Sequence, residues 1–152
     1  MSKAVMLSIR PKWCEKICSG EKTIEVRKTR PKKLKNPFKC YIYCTQGRDA
    51  RRLRWSWGKV IGEFTCDGFW IGSPRNTNPI FCMAACMDGF DTEKYAKDKI
   101  LYGWHITDLR IYDAPRELRE FTGLRDTKFG AAPYEIKRPP QSWCYVEDGC
   151  NG

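Results

Sequence analysis

Short segments with a two-residue hydrophobic period recur along the 152 residues, whereas patterns with the period of a helix are few and short. The sequence predicts strands over residues 4–9, 23–29, 38–44, 59–71, 102–113 and 139–147. Residues 73–79 are rich in turn formers and predict an exposed loop. Because strands and helices do not alternate regularly, the pattern favours a mainly antiparallel sheet or a small barrel with helices packed on it. We therefore expect a mainly β fold with short helices, of the α+β class.

Helical patterns occupy three short segments, 11–18, 93–100 and 115–121. The first has an apolar stripe formed by Trp13, Cys14, Ile17 and Cys18. Pro11 suits the first turn of this helix, and Gly20 is suited to end it in the left-handed conformation. We expect Asp91 or Thr92 to cap the second helix and Pro115 to open the third.

The length of the chain is that of one domain, so we expect residues 1–152 to form a single domain. No apolar run approaches the roughly 20 residues that a membrane-spanning helix requires. The N-terminal residues lack the apolar region and cleavage site of a signal peptide. The expectation is a cytoplasmic protein that does not contact a membrane, and a monomer is favoured.

The nine cysteines predict neither a disulfide framework nor a metal site. Their number is odd, the chain is not small, and we expect a reducing compartment, so they are interpreted as thiols. Three pairs are separated by four residues: Cys14 and Cys18, Cys40 and Cys44, and Cys82 and Cys86. The second pair lies on a predicted strand, about 13 Å apart, and the first lies on an apolar helical stripe. We therefore expect no structural zinc and no cofactor.

Positive charge is concentrated in one part of the chain. Residues 27–59 contain twelve Lys or Arg and one acid, so this segment carries +11 while the remaining residues sum to −1. Such a field favours polyanions, nucleic acid first and an anionic membrane surface second, because binding to phosphates releases counterions. The alternative is a solvated basic loop that serves solubility. RNA or a nucleotide is the partner that we expect.

The second half of this basic segment mixes arginines with tryptophans. Arg51, Arg52 and Arg54 precede Trp55 in the stretch "RDARRLRWSW". This composition is typical of loops that bind phosphates and unstacked bases together. The alternative is a mobile loop whose tryptophans fold back onto the barrel.

The strand that follows Gly20 carries charged residues around an apolar pair. Alternation places Ile24 and Val26 on a buried face and Glu25 and Arg27 on the other face, about 6 to 7 Å apart. Lys22 has the opposite parity, so it joins them only if it lies in the turn after Gly20. The alternative is a solvated pair of Glu25 and Arg27 that contributes less than about 1 kcal/mol.

The residues "GEKTIEVR", from Gly20 to Arg27, match the pattern G-x-K-x-x-E-x-R, which is the signature of the ASCH domain of the PUA-like superfamily. The segments "GKVIGEF" from Gly58 and "PPQSWCYV" from Pro139 also resemble this family. The chain is most similar to small single-domain ASCH proteins of bacteria and phages. The resemblance implies a PUA-like small β-barrel flanked by helices, with a cleft for RNA or a nucleobase lined by Lys22, Glu25 and Arg27.

Several activities occur in the resembling family. One branch removes the acetyl group of N4-acetylcytidine, and others are linked to ribonuclease activity or transcription coactivation. The amidohydrolase branch has a threonine nucleophile three residues after the motif lysine, and Glu25 stands at that position here. Ser142, at the start of the last strand, is a candidate cleft hydroxyl, with backbone hydrogen bonding as its alternative.

We therefore expect a binding domain for RNA or a modified nucleotide rather than an enzyme. The predicted nucleic-acid-binding residues are Lys22, Glu25, Arg27, Arg51, Arg52, Arg54, Trp55 and Ser142. The first alternative is a hydrolase of a modified nucleoside or RNA, an amidohydrolase or ribonuclease in which Glu25 is the base and Lys22 polarises an oxygen. The second is a protein-interaction adaptor in transcription or RNA metabolism.

Overall fold

The computed structural model describes residues 2–47, 56–75 and 78–149. Within these ranges the strands are β1 Lys3–Ile9, β2 Ile24–Arg27, β3 Phe38–Cys44, β4 Lys59–Gly72, β5 Leu101–Arg116, β6 Thr122–Thr127, β7 Gly130–Glu135 and β8 Trp143–Glu147. The helices are α1 Pro11–Cys18, α2 Pro79–Ala85 and α3 Gly89–Ala96, with a 3₁₀ turn at Leu118–Glu120. This mainly β composition with short helices confirms the predicted fold class.

The eight strands form one sheet in the order β2-β5-β4-β3-β1-β8-β6-β7. The β1–β3 pair is parallel, and the other paired strands are antiparallel. Although β2 lies at one end of this order, its Arg27 side chain donates hydrogen bonds to Ser8 of β1 and to Ser142 just before β8. The sheet therefore curls into a barrel-like shape in which β2 approaches the β1–β8 pair.

The first strand, helix and second strand form where the sequence predicts them. Pro11 occupies the first turn of α1, and Gly20 has a φ of 82°, which is the left-handed conformation predicted after the helix. The long strand β4 changes register with β5 between Val60 and Gly62 and again between Cys66 and Phe69. Gly62 and Gly68 lie at these two irregularities, where glycine tolerates the locally distorted backbone.

Three apolar clusters form the core, and two of them lie on opposite faces of β2. One fills the interior of the curled sheet and includes Trp104, Phe38 and Cys14. Another lies between the outer face of β2 and helix α2 and includes Ile24 and Phe81. Because β2 is covered on both faces, all four of its residues are buried.

The structure corrects two secondary-structure predictions and contains two elements that were not predicted. Helix α2 was not predicted, although Asn78 caps it through hydrogen bonds from the amides of Ile80 and Phe81. Helix α3 starts earlier than expected, because Asp88 forms a capping box with Asp91. Pro115 lies in β5, one residue before the end of the strand, instead of opening a helix. The β6–β7 hairpin was also not predicted. In the described part of the chain, no helix is long and apolar enough to cross a bilayer.

Candidate nucleic-acid site at the start of β2

Lys22 lies in the turn that the parity argument requires, between Gly20 and β2. Its amide donates to the carbonyl of Lys16 in α1 at 3.0 Å, which holds the turn against the helix. The side chain is 2% exposed, and its Nζ donates to the carbonyl of Ala85 at 2.6 Å. The same ammonium lies 4.8 Å from the centroid of the Trp13 ring. Helix α1, the turn and the end of α2 thus together enclose one buried cation.

Burial lowers the pKa of Lys22 from its ordinary value of 10.5, because a low-dielectric site disfavours the charged form. The negative charge of Glu25 acts in the opposite direction, and the positive charge of Arg27 adds to the lowering. Lys22 is therefore close enough to both residues to interact electrostatically with them.

Glu25 is 5% exposed, and its two carboxylate oxygens differ in their partners. Oε1 accepts a hydrogen bond from the backbone amide of the next residue, Val26, at 3.1 Å. Oε2 is buried and accepts no hydrogen bond from any residue that the structure describes. An unsatisfied buried acceptor costs about 1–3 kcal/mol, and more when it is charged. The site therefore holds an acceptor that suits an N–H or O–H donor of a ligand.

Arg27, in contrast, makes three hydrogen bonds within the protein. Its Nη1 donates to the carbonyl and the hydroxyl of Ser142 at 3.1 and 3.0 Å, and its Nη2 donates to the carbonyl of Ser8 at 2.6 Å. Ser8 in turn donates its hydroxyl to the carbonyl of Pro140 at 2.6 Å. The guanidinium thus ties β2 to β1 and to the segment before β8.

The face of β2 that carries Glu25 and Arg27 is not solvated, which corrects the expectation of one buried face. In the antiparallel β2–β5 pair, Glu25 lies opposite Trp104 and Arg27 lies opposite Tyr102. Opposite residues of an antiparallel pair project to the same side, so both charged side chains point toward the aromatic interior of the sheet. The alternative of a surface ion pair is therefore wrong, since both residues are buried and Glu25 Oε2 has no donor among the described residues.

Of the other predicted site residues, the structure locates Ser142 but does not describe those of the arginine and tryptophan stretch. Ser142 contacts Arg27 directly, so it lies beside the motif. Arg51, Arg52, Arg54 and Trp55 lie outside the described residues. Sequence reasoning did not single out Tyr95 of α3, which is close enough to Arg27 and Glu25 to interact with them electrostatically. In the part of the chain that the structure describes, no three His, Cys, Asp or Glu side chains are grouped to hold a metal ion.

Comparison with known proteins identifies the fold. No family profile and no curated protein matches the chain. Among solved structures, the ASCH protein of Zymomonas mobilis matches with a TM-score of 0.59 and 19% identity, over 95% of this chain and 88% of that chain. A point mutant of the same protein matches with a TM-score of 0.61 and 18% identity, over 97% and 92% of the two chains. At this identity the likeness shows the fold, which is the ASCH-domain fold that the motif predicted.

The geometry limits what the site does chemically. It combines a buried carboxylate oxygen without a described donor, a buried ammonium with a lowered pKa, and aromatic rings that face the same interior. Such a set suits a planar ligand that donates a hydrogen bond to Glu25. Arg27 already makes three hydrogen bonds within the protein, so it positions β2 and Ser142.

Proposed function

We propose that this chain is an ASCH domain that binds single-stranded RNA or a modified nucleotide, and that Glu25 accepts a hydrogen bond from the base. The observation that carries this proposal is Oε2 of Glu25, a buried carboxylate oxygen with no donor among the described residues. Amino and imino groups of bases are donors to such an oxygen, as in the contacts between acidic side chains and the cytosine amino group. The charge of the chain, +10, favours a polyanionic ligand.

The neighbours of Glu25 support a nucleotide over a small aliphatic donor. Trp104 lies opposite Glu25 across the β2–β5 pair, and Tyr102 lies opposite Arg27. Aromatic side chains next to a hydrogen-bonding group are typical of sites where unstacked bases bind. Trp104 is itself fully buried, so the aromatic surface open to a base here is that of the partly exposed Tyr102. The buried Lys22 ammonium adds a positive charge close enough to Glu25 to interact with its carboxylate.

Glu25→Gln tests this proposal, because it keeps the shape of the side chain and removes its charge. Hydrogen bonds to a charged acceptor are about twice as strong as neutral ones, so we expect roughly tenfold weaker binding of the best ligand. The probes are a panel of ribonucleosides, including an acylated cytidine, and a mixed-sequence single-stranded RNA. Binding is measured by calorimetry or by tryptophan fluorescence.

Glu21→Gln is the matched control. Glu21 is an exposed carboxylate in the same turn, where it pairs with Lys16 at 3.1 Å. The same chemical change there removes the same charge without touching the buried site. Equal affinities of the Glu21→Gln and Glu25→Gln proteins for every probe would exclude Glu25 as a base-binding residue.

A second candidate is hydrolysis of a modified nucleoside or RNA, favoured by the lowered pKa of Lys22 beside Glu25. A buried acid and a buried amine with a shifted pKa are a common catalytic combination. In this case Glu25→Gln binds its ligand but releases no product. Incubation with acylated nucleosides and short RNAs, followed by chromatography, decides between the two functions, and absence of product from the unmodified protein excludes hydrolysis of these substrates.

A further inference from the structure

The loop between β2 and β3, residues 28–37, is fixed onto the protein core rather than extended into solvent. The carbonyl and hydroxyl of Thr29 accept hydrogen bonds from the indole groups of Trp104 and Trp143 at 3.3 and 2.8 Å. Farther along, the amide of Lys33 donates to the hydroxyl of Tyr145 at 3.2 Å. We call residues 28–37 the basic loop. Because it is fixed at several points, its charged side chains have defined positions.

One side of the basic loop borders a cavity of about 350 Å³, and its charged lining is entirely positive. Arg30, Lys32 and Lys35 line it together with the ring of Phe69. None of these three cations lies within 4.0 Å of a carboxylate of any described residue, whereas Lys33 of the same loop pairs with Asp126. The loop thus lines the cavity with three cations that have no carboxylate partner among the described residues, and it neutralises Lys33 elsewhere. A cavity of this kind suits an anion.

Arg30 is positioned in this cavity by aromatic rings. Its guanidinium carbon lies 5.9 Å from the centroid of Phe69 and 5.4 Å from that of Tyr102. Cation–π contacts of this kind hold a guanidinium while its N–H groups stay available for hydrogen bonds. Phe69 is partly exposed at the cavity, so its ring also offers a surface on which a planar group stacks.

The cavity is adjacent to the Glu25 site. The Phe69 ring lies 5.5 Å from the ring of Trp104, which is the strand partner of Glu25, and Tyr102 is the strand partner of Arg27. The rings of Trp104 and Phe69 therefore connect the Glu25 site to the cavity. A chain of nucleotides that followed these rings would bring a phosphate and a base from Glu25 to the basic loop.

We propose that this cavity is a second nucleotide subsite, in which Arg30, Lys32 and Lys35 bind a phosphate and Phe69 stacks on the neighbouring base. The inference rests on the proposed function and specifies its ligand, which is an oligonucleotide of at least two nucleotides rather than a free nucleoside. Positive side chains that track the backbone and aromatic rings that stack on bases are the usual combination in single-strand binding.

The test measures affinity for a mixed-sequence 12-nucleotide single-stranded RNA over a range of salt concentrations. Lys32→Ala and Lys35→Ala each remove one phosphate contact, so each reduces the slope of log affinity against log salt by about 0.7. Lys33→Ala is the matched control, since it removes the same charge from the same loop outside the cavity, and its slope stays that of the unmodified protein. Phe69→Leu keeps an apolar side chain without a ring and weakens binding about 5- to 150-fold at an unchanged slope.

The outcomes separate the subsite from the proposed function. If RNA binding depends on Glu25 but Lys32→Ala and Lys35→Ala behave like Lys33→Ala, the subsite is wrong and the Glu25 site stands. If neither the ribonucleosides nor the RNA binds the unmodified protein, both fail. Urea unfolding of each variant shows whether the fold is intact, and an intact Phe69→Leu protein with undiminished affinity contradicts stacking at that ring.

Discussion

Replacement of Arg27 by methionine tests whether the motif arginine is part of the framework of the fold. Its guanidinium makes three hydrogen bonds, two to Ser142 and one to Ser8, at 3.1, 3.0 and 2.6 Å. Ser8 and Ser142 lie 19 and 115 positions from Arg27 in sequence. The side chain therefore joins the strand at one end of the sheet order to the β1–β8 pair. Methionine keeps an unbranched apolar stem but makes none of these bonds.

The expected loss of stability follows from these contacts. Hydrogen bonds to a charged group contribute about 1.5–3 kcal/mol each, but removal of the buried guanidinium also removes the cost of its desolvation. We expect the free energy of unfolding to fall by about 2–4 kcal/mol. For a domain of this size this corresponds to a melting temperature lower by roughly 4–16 °C.

Urea unfolding followed by tryptophan fluorescence measures this loss, and a double-mutant cycle assigns it. Ser142→Ala removes only the hydroxyl acceptor of one charged hydrogen bond, so the coupling energy between the two changes should be about 1.5–3 kcal/mol. Arg119→Met, at an exposed position, is the control and should alter stability by less than about 0.5 kcal/mol. A loss below about 1 kcal/mol for Arg27→Met, with no coupling to Ser142, would refute the framework role.

Two further changes probe the burial around β2. Burial lowers the pKa of Lys22, so between that lowered pKa and 10.5 the unfolded chain binds more protons than the folded one. As pH rises through this window, the unmodified protein should therefore gain stability relative to Lys22→Met. Equal pH dependence of urea unfolding for the two proteins would contradict this prediction. In Gly103→Ala the new Cβ would lie 2.8 Å from side-chain atoms of Ile24 and Phe81. Because this overpacks the contact between β2 and α2, the free energy of unfolding should fall by about 1–3 kcal/mol. An unchanged melting temperature would show that α2 moves aside freely.

Local pattern was sufficient to predict the elements that determine where the motif lies. Strand β3 has the predicted bounds because Phe38–Cys44 is β-prone throughout and proline precedes it. Gly20 was predicted to adopt positive φ, and it does. Lys22, whose parity is opposite to that of Glu25, lies in the turn before β2 and not on the strand. These conclusions depend on residues within a few positions of one another.

The burial of the motif depended on contacts that a local pattern does not contain. Glu25 and Arg27 alternate as solvated residues would, but the curl of the sheet covers them, and the acceptors of Arg27 belong to β1 and to the segment before β8. Helix α2 was missed because Asn78 and Pro79 were read as a turn, although the same pair is also a helix start. The exposed β6–β7 hairpin has few buried residues and so gives little hydrophobic alternation.

The side chains of the three motif residues differ in their hydrogen-bond partners. This difference predicts which variant loses stability and which loses ligand binding. Arg27 donates hydrogen bonds to acceptors within the protein, so its loss should mainly reduce stability. It should weaken ligand binding only through displacement of β2. Lys22 contacts one backbone acceptor and one aromatic ring, so its loss should reduce both stability and ligand binding. Glu25 Oε2 has no donor among the described residues, so its neutralisation should leave stability unchanged or raise it while it weakens binding. An opposite order, with Glu25→Gln the least stable of the three, would mean that the carboxylate serves the fold and not a ligand.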